Sequence, residues 1–201
     1  QAGLINKAIT PSAFNTGTPS NRGAVDIDFQ FTDNFTVNQW IKTTGVNNDE
    51  LVSNFSRDSG YKGWWTVFVN TNKFSFRLAS GGAGMACQTD GSISITNDGK
   101  FHMLTAIYNK SAGRLLTYFD GVLDGNTACA GVTPTYSAFS KFSLNGWQYD
   151  AANQWQSGGN YTQDEVSVWS KALTNTEISE LYNKGSGISY PFIGASFDYN
   201  V

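Results

Sequence analysis

The chain has 201 residues, is 14% aromatic and 14% charged, carries 21 Gly and has a formal net charge of −3. That length suits one domain with a sizeable core. The acidic balance and the scattered placing of Lys and Arg exclude a nucleic-acid surface, and no apolar run approaches the roughly 18 residues of a membrane span, so membrane insertion is not expected either. Polarity carried by Asn, Ser and Thr instead of charge suits turns and sheet faces better than solvated helices.

The start at Gln1 in place of Met reads as a processed or trimmed end. GAVDIDF (23–29) has the look of an edge strand, with Asp26 and Asp28 on one face. FTVNQWIKTT (35–44) alternates Phe35, Val37 and Gln39 against Thr36, Asn38 and Trp40. GWWTVFVN (63–70) and KFSFRLAS (73–80) predict a hairpin around Asn70-Thr71-Asn72. GGAGMAC (81–87) reads as a glycine-rich turn, and SISIT (92–96) as a short strand stopped by Asn97-Asp98-Gly99. FHMLTAIY (101–108) and RLLTYFDG (114–121) predict a second hairpin, and KFSLNGW (141–147) and DEVSVW (164–169) two later strands. Thr174 with Glu177 forms the sequence pattern of a capping box, and Leu173 with Ile178 that of a hydrophobic staple. Ile178, Leu181 and Tyr182 then share one helical face, Glu180 lies on the polar face, and Gly185 is the expected stop. Short strands at turn-punctuated spacing predict an all-β protein: a two-sheet antiparallel β-sandwich with one short C-terminal helix, in a single domain over 1–201.

Cys87 and Cys129 are the only cysteines, both in turn-like contexts and neither in a CxxC. They read as one disulfide of an exterior protein, closing a loop of about 40 residues; two separate thiols are the alternative.

The chemistry-bearing residues point away from catalysis. Asp164 and Glu165 are adjacent on a strand, where alternation sends them to opposite faces, so they cannot flank one glycosidic bond. His102 is the single histidine, which rules out a multi-His zinc site. There is no GxSxG elbow or P-loop. Trp64 and Trp65 face opposite ways in a strand, so at least one belongs to the core. The segment 145–161 gathers Trp147, Tyr149 and Trp155 among Asn153, Gln154 and other amides. Aromatic faces stack on the C–H faces of sugars while amides meet hydroxyls, so these five residues are the candidate ligand site.

The run FTVNQWIKTT, LVSNFS, DGKFHMLTAIYN, LLTYFDGVLDG and DEVSVWSKALTNTEISELY resembles the LamG-like jelly-roll family of the concanavalin A-like lectin/glucanase superfamily. The resemblance covers about 23–185 and leaves 186–201 as an aromatic C-terminal extension. It departs from the family pattern at Phe101 and Met103, where the family has Trp and a second His, and in an enlarged segment after Asn145. It implies a concanavalin A-like jelly roll with Trp40, Tyr161 and Trp169 as core aromatics. It also places Asp164 where related members can hold a structural Ca2+, with backbone carbonyls and water completing six to eight oxygens; a solvent-facing Asp hydrogen-bonded to a turn is the alternative. The E-x-D-x-x-E strand of the superfamily's glycanases is missing. The expected function is a non-catalytic carbohydrate-binding or adhesion module at an extracellular or exterior surface, with a glycan or glycoconjugate as ligand. The alternative is a structural interaction protein of an assembly, such as a virion decoration or tail-associated domain or a surface appendage subunit, with neighbouring protein subunits as partners; a glycan-active hydrolase or lyase is a third reading, disfavoured by the missing carboxylate strand.

Overall fold

The computed structural model describes residues 23–25, 29–43, 50–69, 72–148, 155–157 and 161–187, with backbone alone at 23–25, 148 and 155–157. The expected antiparallel sandwich is present. One sheet runs in the order β1 (Gly23–Val25), β10 (Lys141–Leu144), β3 (Glu50–Ser56), β4 (Lys62–Val69), β5 (Lys73–Ser80), β6 (Cys87–Ser94), and β11 (Gly146–Gln148) and β12 (Trp155–Ser157) attach beside β3. The second sheet has five strands in the order β13 (Tyr161–Trp169), β2 (Phe35–Thr43), β7 (His102–Asn109), β8 (Arg114–Phe119), β9 (Val122–Ala128). Both predicted hairpins form, β4 with β5 and β7 with β8. No helix among the described residues is long and apolar enough to cross a membrane.

Alternation along each strand fills the space between the sheets. Phe35, Val37 and Ile41 of β2 and Leu104, Ala106 and Tyr108 of β7 meet Trp64, Phe68, Phe74, Phe76 and Leu78 from the facing sheet. Trp64 is in this main core. Trp65, on the opposite pleat, is also buried, but in a separate cluster on the outer face. Trp40, Tyr161 and Trp169 are buried as expected. A polar line also crosses the gap: Gln163 Nε2 donates to Gln39 Oε1 at 2.6 Å, and Gln39 Nε2 donates to Thr66 Oγ1 at 3.2 Å.

The helix α1 (Asn175–Tyr182) lies on the outer face of the five-stranded sheet, where Ile178 and Leu181 pack with Trp40, Met103, Ile107, Tyr118 and Trp169. Its start is the predicted capping box, with Thr174 Oγ1 accepting from the Glu177 amide and the Glu177 carboxylate accepting from the Thr174 amide. Burial raises the Glu177 carboxyl, but hydrogen bonds from Lys171 and Thr174 outweigh it and the net direction is down. The stop comes earlier than Gly185. Asn183 takes the left-handed cap, and Gly185 follows in a 3-10 turn. Glu180 is half-buried instead of solvated.

Three local features depart from the strand pattern. KFSLNGW does not continue as one strand, because Asn145 and Gly146 have φ of 59° and 149° and break it into β10 and β11. β6 begins at Cys87, well before SISIT, and β9 forms from VLDGNTA, which carries turn letters. On β13, Asp164 pairs with Trp40 and Ser167 with Asn38, so three steps on one strand oppose two on the other. Glu165, at φ 47°, is the extra residue of this bulge, and the strict alternation expected of Asp164 and Glu165 does not hold.

Cys87 and Cys129 are bridged, with Cα atoms 5.9 Å apart and 42 residues of separation. The bond joins β6, the edge of one sheet, to the end of β9, the edge of the other. Replacing both cysteines by Ala is expected to lower the unfolding free energy by about 3–4 kcal/mol, the loop-closure value for a loop of this size. Urea titration against the parent measures it, and an unchanged midpoint would deny the bond a stabilising role.

Candidate binding site

The outer face of the eight-stranded sheet has no helix over it among the described residues. It carries an aromatic cluster instead. Register sets a row across four strands, Ser53 of β3 opposite Trp65 of β4, then Arg77 of β5 and Gln88 of β6. A second row runs from Glu50 through Val67 and Ser75 to Asp90. In a third, Phe55 lies opposite Gly63. Gly63 has φ 102°, and a Cβ there would meet the Asn54 carbonyl at 1.9 Å, so no other residue fits this close approach.

Trp147 reaches this face through the break at Asn145–Gly146. The Gly146 carbonyl accepts from Ser53 Oγ at 2.9 Å and Ser143 Oγ at 2.8 Å, which fixes the entry of β11 over the sheet. The indole then packs edge-on against Phe55, with centroids 5.0 Å apart, and Phe55 lies 4.1 Å from Trp65. Only 6% of Trp147 is exposed. The expectation of an exposed stacking surface at Trp147 is therefore corrected: the kink turns the ring down onto its own sheet. Tyr149, Asn153 and Gln154 lie outside the described residues, as does the side chain of Trp155, whose backbone forms β12.

The accessible part of the cluster joins Tyr61, which with Trp64 and Trp65 makes a second aromatic cluster in the sequence, to polar residues that the sequence does not mark. Tyr61 is half-buried beside Phe55 and Trp65, and the exposed Arg57 sets its guanidinium 4.7 Å from the Tyr61 ring and 5.9 Å from Trp147. Arg77 lies 5.9 Å from the Trp65 ring and donates from Nε to Ser75 Oγ. Ser75 Oγ in turn donates to Asp90 Oδ1 at 2.6 Å, and Gln88 Nε2 donates to Asp90 Oδ2 at 3.4 Å. Burial pulls the Arg77 guanidinium below its usual pKa, and Asp90 and Glu50 oppose that pull. The result is an aromatic floor bordered by a guanidinium, a carboxylate, a hydroxyl and an amide.

Glu50 and Asp90, among the described residues of this face, are not placed as a hydrolytic pair. Glu50 and Asp90 share a row but sit on β3 and β6, three strand spacings or about 14 Å apart, beyond the roughly 5–9.5 Å of a hydrolytic carboxylate pair. His102 is taken up structurally, with Nδ1 2.8 Å from Asp120 Oδ2 and its ring stacked on Phe119.

Asp164 is the remaining predicted ligand. Its Oδ1 accepts from the Glu165 amide at 2.8 Å. Burial raises the Glu165 carboxyl, and the charge of Asp164 raises it further. Two neighbouring carboxyls supply negative charge that suits a hard cation, but only a minority of the oxygens calcium takes. Among the described residues there is no group of three His, Cys, Asp or Glu side chains able to hold a metal.

Comparison with known proteins agrees with the architecture. The Laminin_G_3 family, described as concanavalin A-like lectin/glucanases superfamily, matches residues 16–179. The chain belongs to this family. The Laminin_G_3 domain is similar to the binding domain of Paraclostridial Mosquitocidal Protein 1 at a TM-score of 0.61 and 13% identity, over 92% of this chain and 46% of that one. It is similar to the heptameric SAP-like pentraxin of Limulus polyphemus at a TM-score of 0.56 and 17% identity, over 77% and 73% of the two chains. The binding domain of botulinum neurotoxin DC in complex with SialylT matches at 0.54 and 15% identity, over 76% of this chain and 36% of that one. The chain thus spans less than half the length of the toxin binding domains it matches. At these identities the likeness is one of fold. A search of curated proteins finds no match.

Because Trp147 is buried and packed against Phe55, Trp147→Ala is expected to cost about 3 kcal/mol or more, as for other buried aromatics. Thermal and urea unfolding test this, and a surface-like change below about 0.5 kcal/mol would refute the packing.

Proposed function

We propose that this Laminin_G_3 domain is a non-catalytic carbohydrate-binding module that works in adhesion at an extracellular or exterior surface. The observation that carries the reading is the outer face of the eight-stranded sheet, where Tyr61 and Arg57 border the Phe55–Trp65–Trp147 floor beside the Arg77–Ser75–Asp90–Gln88 hydrogen-bonding chain. A sugar ring offers an apolar C–H face to Tyr61 and hydroxyls to the guanidinium, carboxylate and amide. That combination of flat apolar contact with few, fixed polar groups is what a polar, disc-shaped ligand requires. The wide separation of Glu50 and Asp90 supports binding without hydrolysis. Similar folds occur in structures of toxin binding domains, one of them in complex with SialylT, which supports the same class of role.

A glycan array with the parent and with Tyr61→Ala/Arg57→Ala tests the reading. The parent should give discrete glycan signals, and the double variant should lose about tenfold or more while its melting temperature stays within a few degrees. No binding by the parent, or full binding by the variant, would overturn it. Mass measurement of the parent in solution separates it from the alternative of a subunit that buries this face against a neighbour.

We propose in addition that Asp164 contributes to a structural Ca2+ site. EDTA should then lower the melting temperature of the parent and leave Asp164→Ala unaffected. An equal response of both proteins would remove Asp164 from any such site.

A further inference from the structure

Five large hydrophobic side chains are exposed among the described residues, and four of them gather at one end of the sandwich. Val122 is 64% exposed, Leu123 48%, Phe101 40% and Ile93 38%. Chain geometry brings them together. The Ile93 amide donates to Asp124, the neighbour of Leu123, at 3.0 Å. The Asp120 amide donates to the Met103 carbonyl at 2.9 Å, and Phe119 pairs with both Leu104 and Val122, which sets the β8–β9 turn beside the start of β7 and hence beside Phe101. This end lies opposite the Tyr61 end: β4 begins next to Tyr61 and Gly82, whereas β6 finishes at Ser94, paired with Lys73 at the far end of β5.

The charges at this end are sorted by direction. Asp98 accepts from the Lys100 amide at 2.9 Å and faces His102, Asp120 accepts from the Met103 amide and faces His102, and Asp124 accepts from the Ser92 and Ile93 amides and the Ser92 hydroxyl. Asp120 and Asp124 are thereby partly enclosed by the fold, and Asp98, which stays exposed, is held toward the Lys100 amide and His102. Three lysines fringe the apolar residues instead. Lys100 precedes Phe101, Lys42 Nζ lies 5.7 Å from the Phe101 ring, and Lys73 pairs with Ser94, the neighbour of Ile93. None of these lysines makes an ion pair among the described residues.

We propose that this rim is a docking surface for an anionic lipid bilayer. The four side chains expose on the order of 300–400 Å², within the range of the largest patch on an ordinary monomer. A stable contact with a second copy or a folded partner needs about 800 Å² per side, so the patch alone is too small for either. Its side chains project from turns and strand ends at the tip of the sandwich, where they can enter the headgroup–acyl boundary together while the ammonium groups of Lys42, Lys73 and Lys100 meet lipid phosphates and carboxylates. Each lysine held at an anionic surface raises partitioning by about fivefold. The contact is peripheral and crosses no bilayer. It is distinct from the Tyr61–Arg57 part of the proposed sugar site, which lies at the other end of β4 and β5.

The test is co-sedimentation of the parent chain with phosphatidylcholine vesicles, with and without about 30% phosphatidylserine. The parent should sediment with the anionic vesicles and at least tenfold more weakly with phosphatidylcholine alone. Val122→Asp/Leu123→Asp should lose at least tenfold in partitioning with an unchanged melting temperature, while Tyr61→Ala keeps its vesicle binding. Three results would each overturn the proposal: no sedimentation of the parent, equal sedimentation of the double aspartate variant, or a parent dimer in solution that the double variant abolishes.

Discussion

The closure between β6 and β9 is the constraint on which the rest of the molecule depends. Among the described residues the two sheets share no backbone ladder, so their edges are held there by other means. Across the gap β6 and β9 run antiparallel. The Cys87–Cys129 bond ties one end, and the Asp124 carboxylate at the other takes the amides of Ser92 and Ile93. Close approach is possible because neither strand carries a Cβ at the crossing points. A Cβ on Gly91 would lie 1.9 Å from Asp124 Oδ2, and one on Gly125 2.8 Å from the Asp90 carbonyl. The carboxylate thereby occupies backbone donors of an edge strand that would otherwise invite pairing with another chain. Fixing β6 also fixes Gln88 and Asp90 on its outer face, and through Ser75 the guanidinium of Arg77. The seam and the candidate sugar site are one mechanical unit.

Within the sandwich, the Gln163–Gln39–Thr66 line does for register what the seam does for closure. Three buried polar side chains, one on each of β13, β2 and β4, are satisfied only when these strands stand in one alignment. A slip of one residue would leave buried amides unpaired, at a cost of about 1–3 kcal/mol for each group. The bulge at Asp164–Glu165 belongs to this arrangement, since it lets Gln163 on one side of it and Val166 and Val168 on the other all turn toward the interior. The five-stranded sheet is then sealed on its outside by α1. The eight-stranded sheet has no such cover among the described residues, and its outer face is left to aromatic and guanidinium groups.

How much of this could be read from residue order depends on the range of the interaction. The capping box at Thr174 and Glu177 is local, closed within four residues, and it was legible together with the hairpins and the two-sheet architecture. β9 was not, because Val122–Ala128 becomes a strand by pairing with β8, while its own Asp124-Gly125-Asn126 spells a turn. Trp147 was misplaced for a similar reason. Its ring is turned inward by two serines, Ser53 and Ser143, of which the first is more than ninety positions away from the carbonyl it holds. The row Trp65–Arg77–Gln88 is a property of register across three strands. A signal did exist in the alternation of KFSFRLAS, which puts Arg77 and Ser75 on one face, but nothing local pairs that face with Tyr61 or Asp90.

The burial of Trp147 and Trp65 changes the physics of recognition more than it weakens the case for it. A loop of free aromatic rings would lose about 0.5–1.5 kcal/mol of conformational freedom for every side chain immobilised on a ligand. Here Phe55, Trp65 and Trp147 are already interlocked at centroid distances of 4.1 and 5.0 Å, so that ordering is complete before any ligand arrives. What they present is a rigid floor on which Tyr61 rests and over which Arg57 lies. Apolar contact from one half-exposed ring is modest and tolerates many sugars. In the proposed sugar-binding role, discrimination falls to the hydrogen-bonding chain, whose members are held by one another: a ligand covering Arg77, Asp90 and Gln88 without matching them would leave polar groups desolvated and without partners. On the proposed sugar-binding reading, selectivity at this face would depend on the register of β4, β5 and β6, and through β6 on the seam that closes the sandwich.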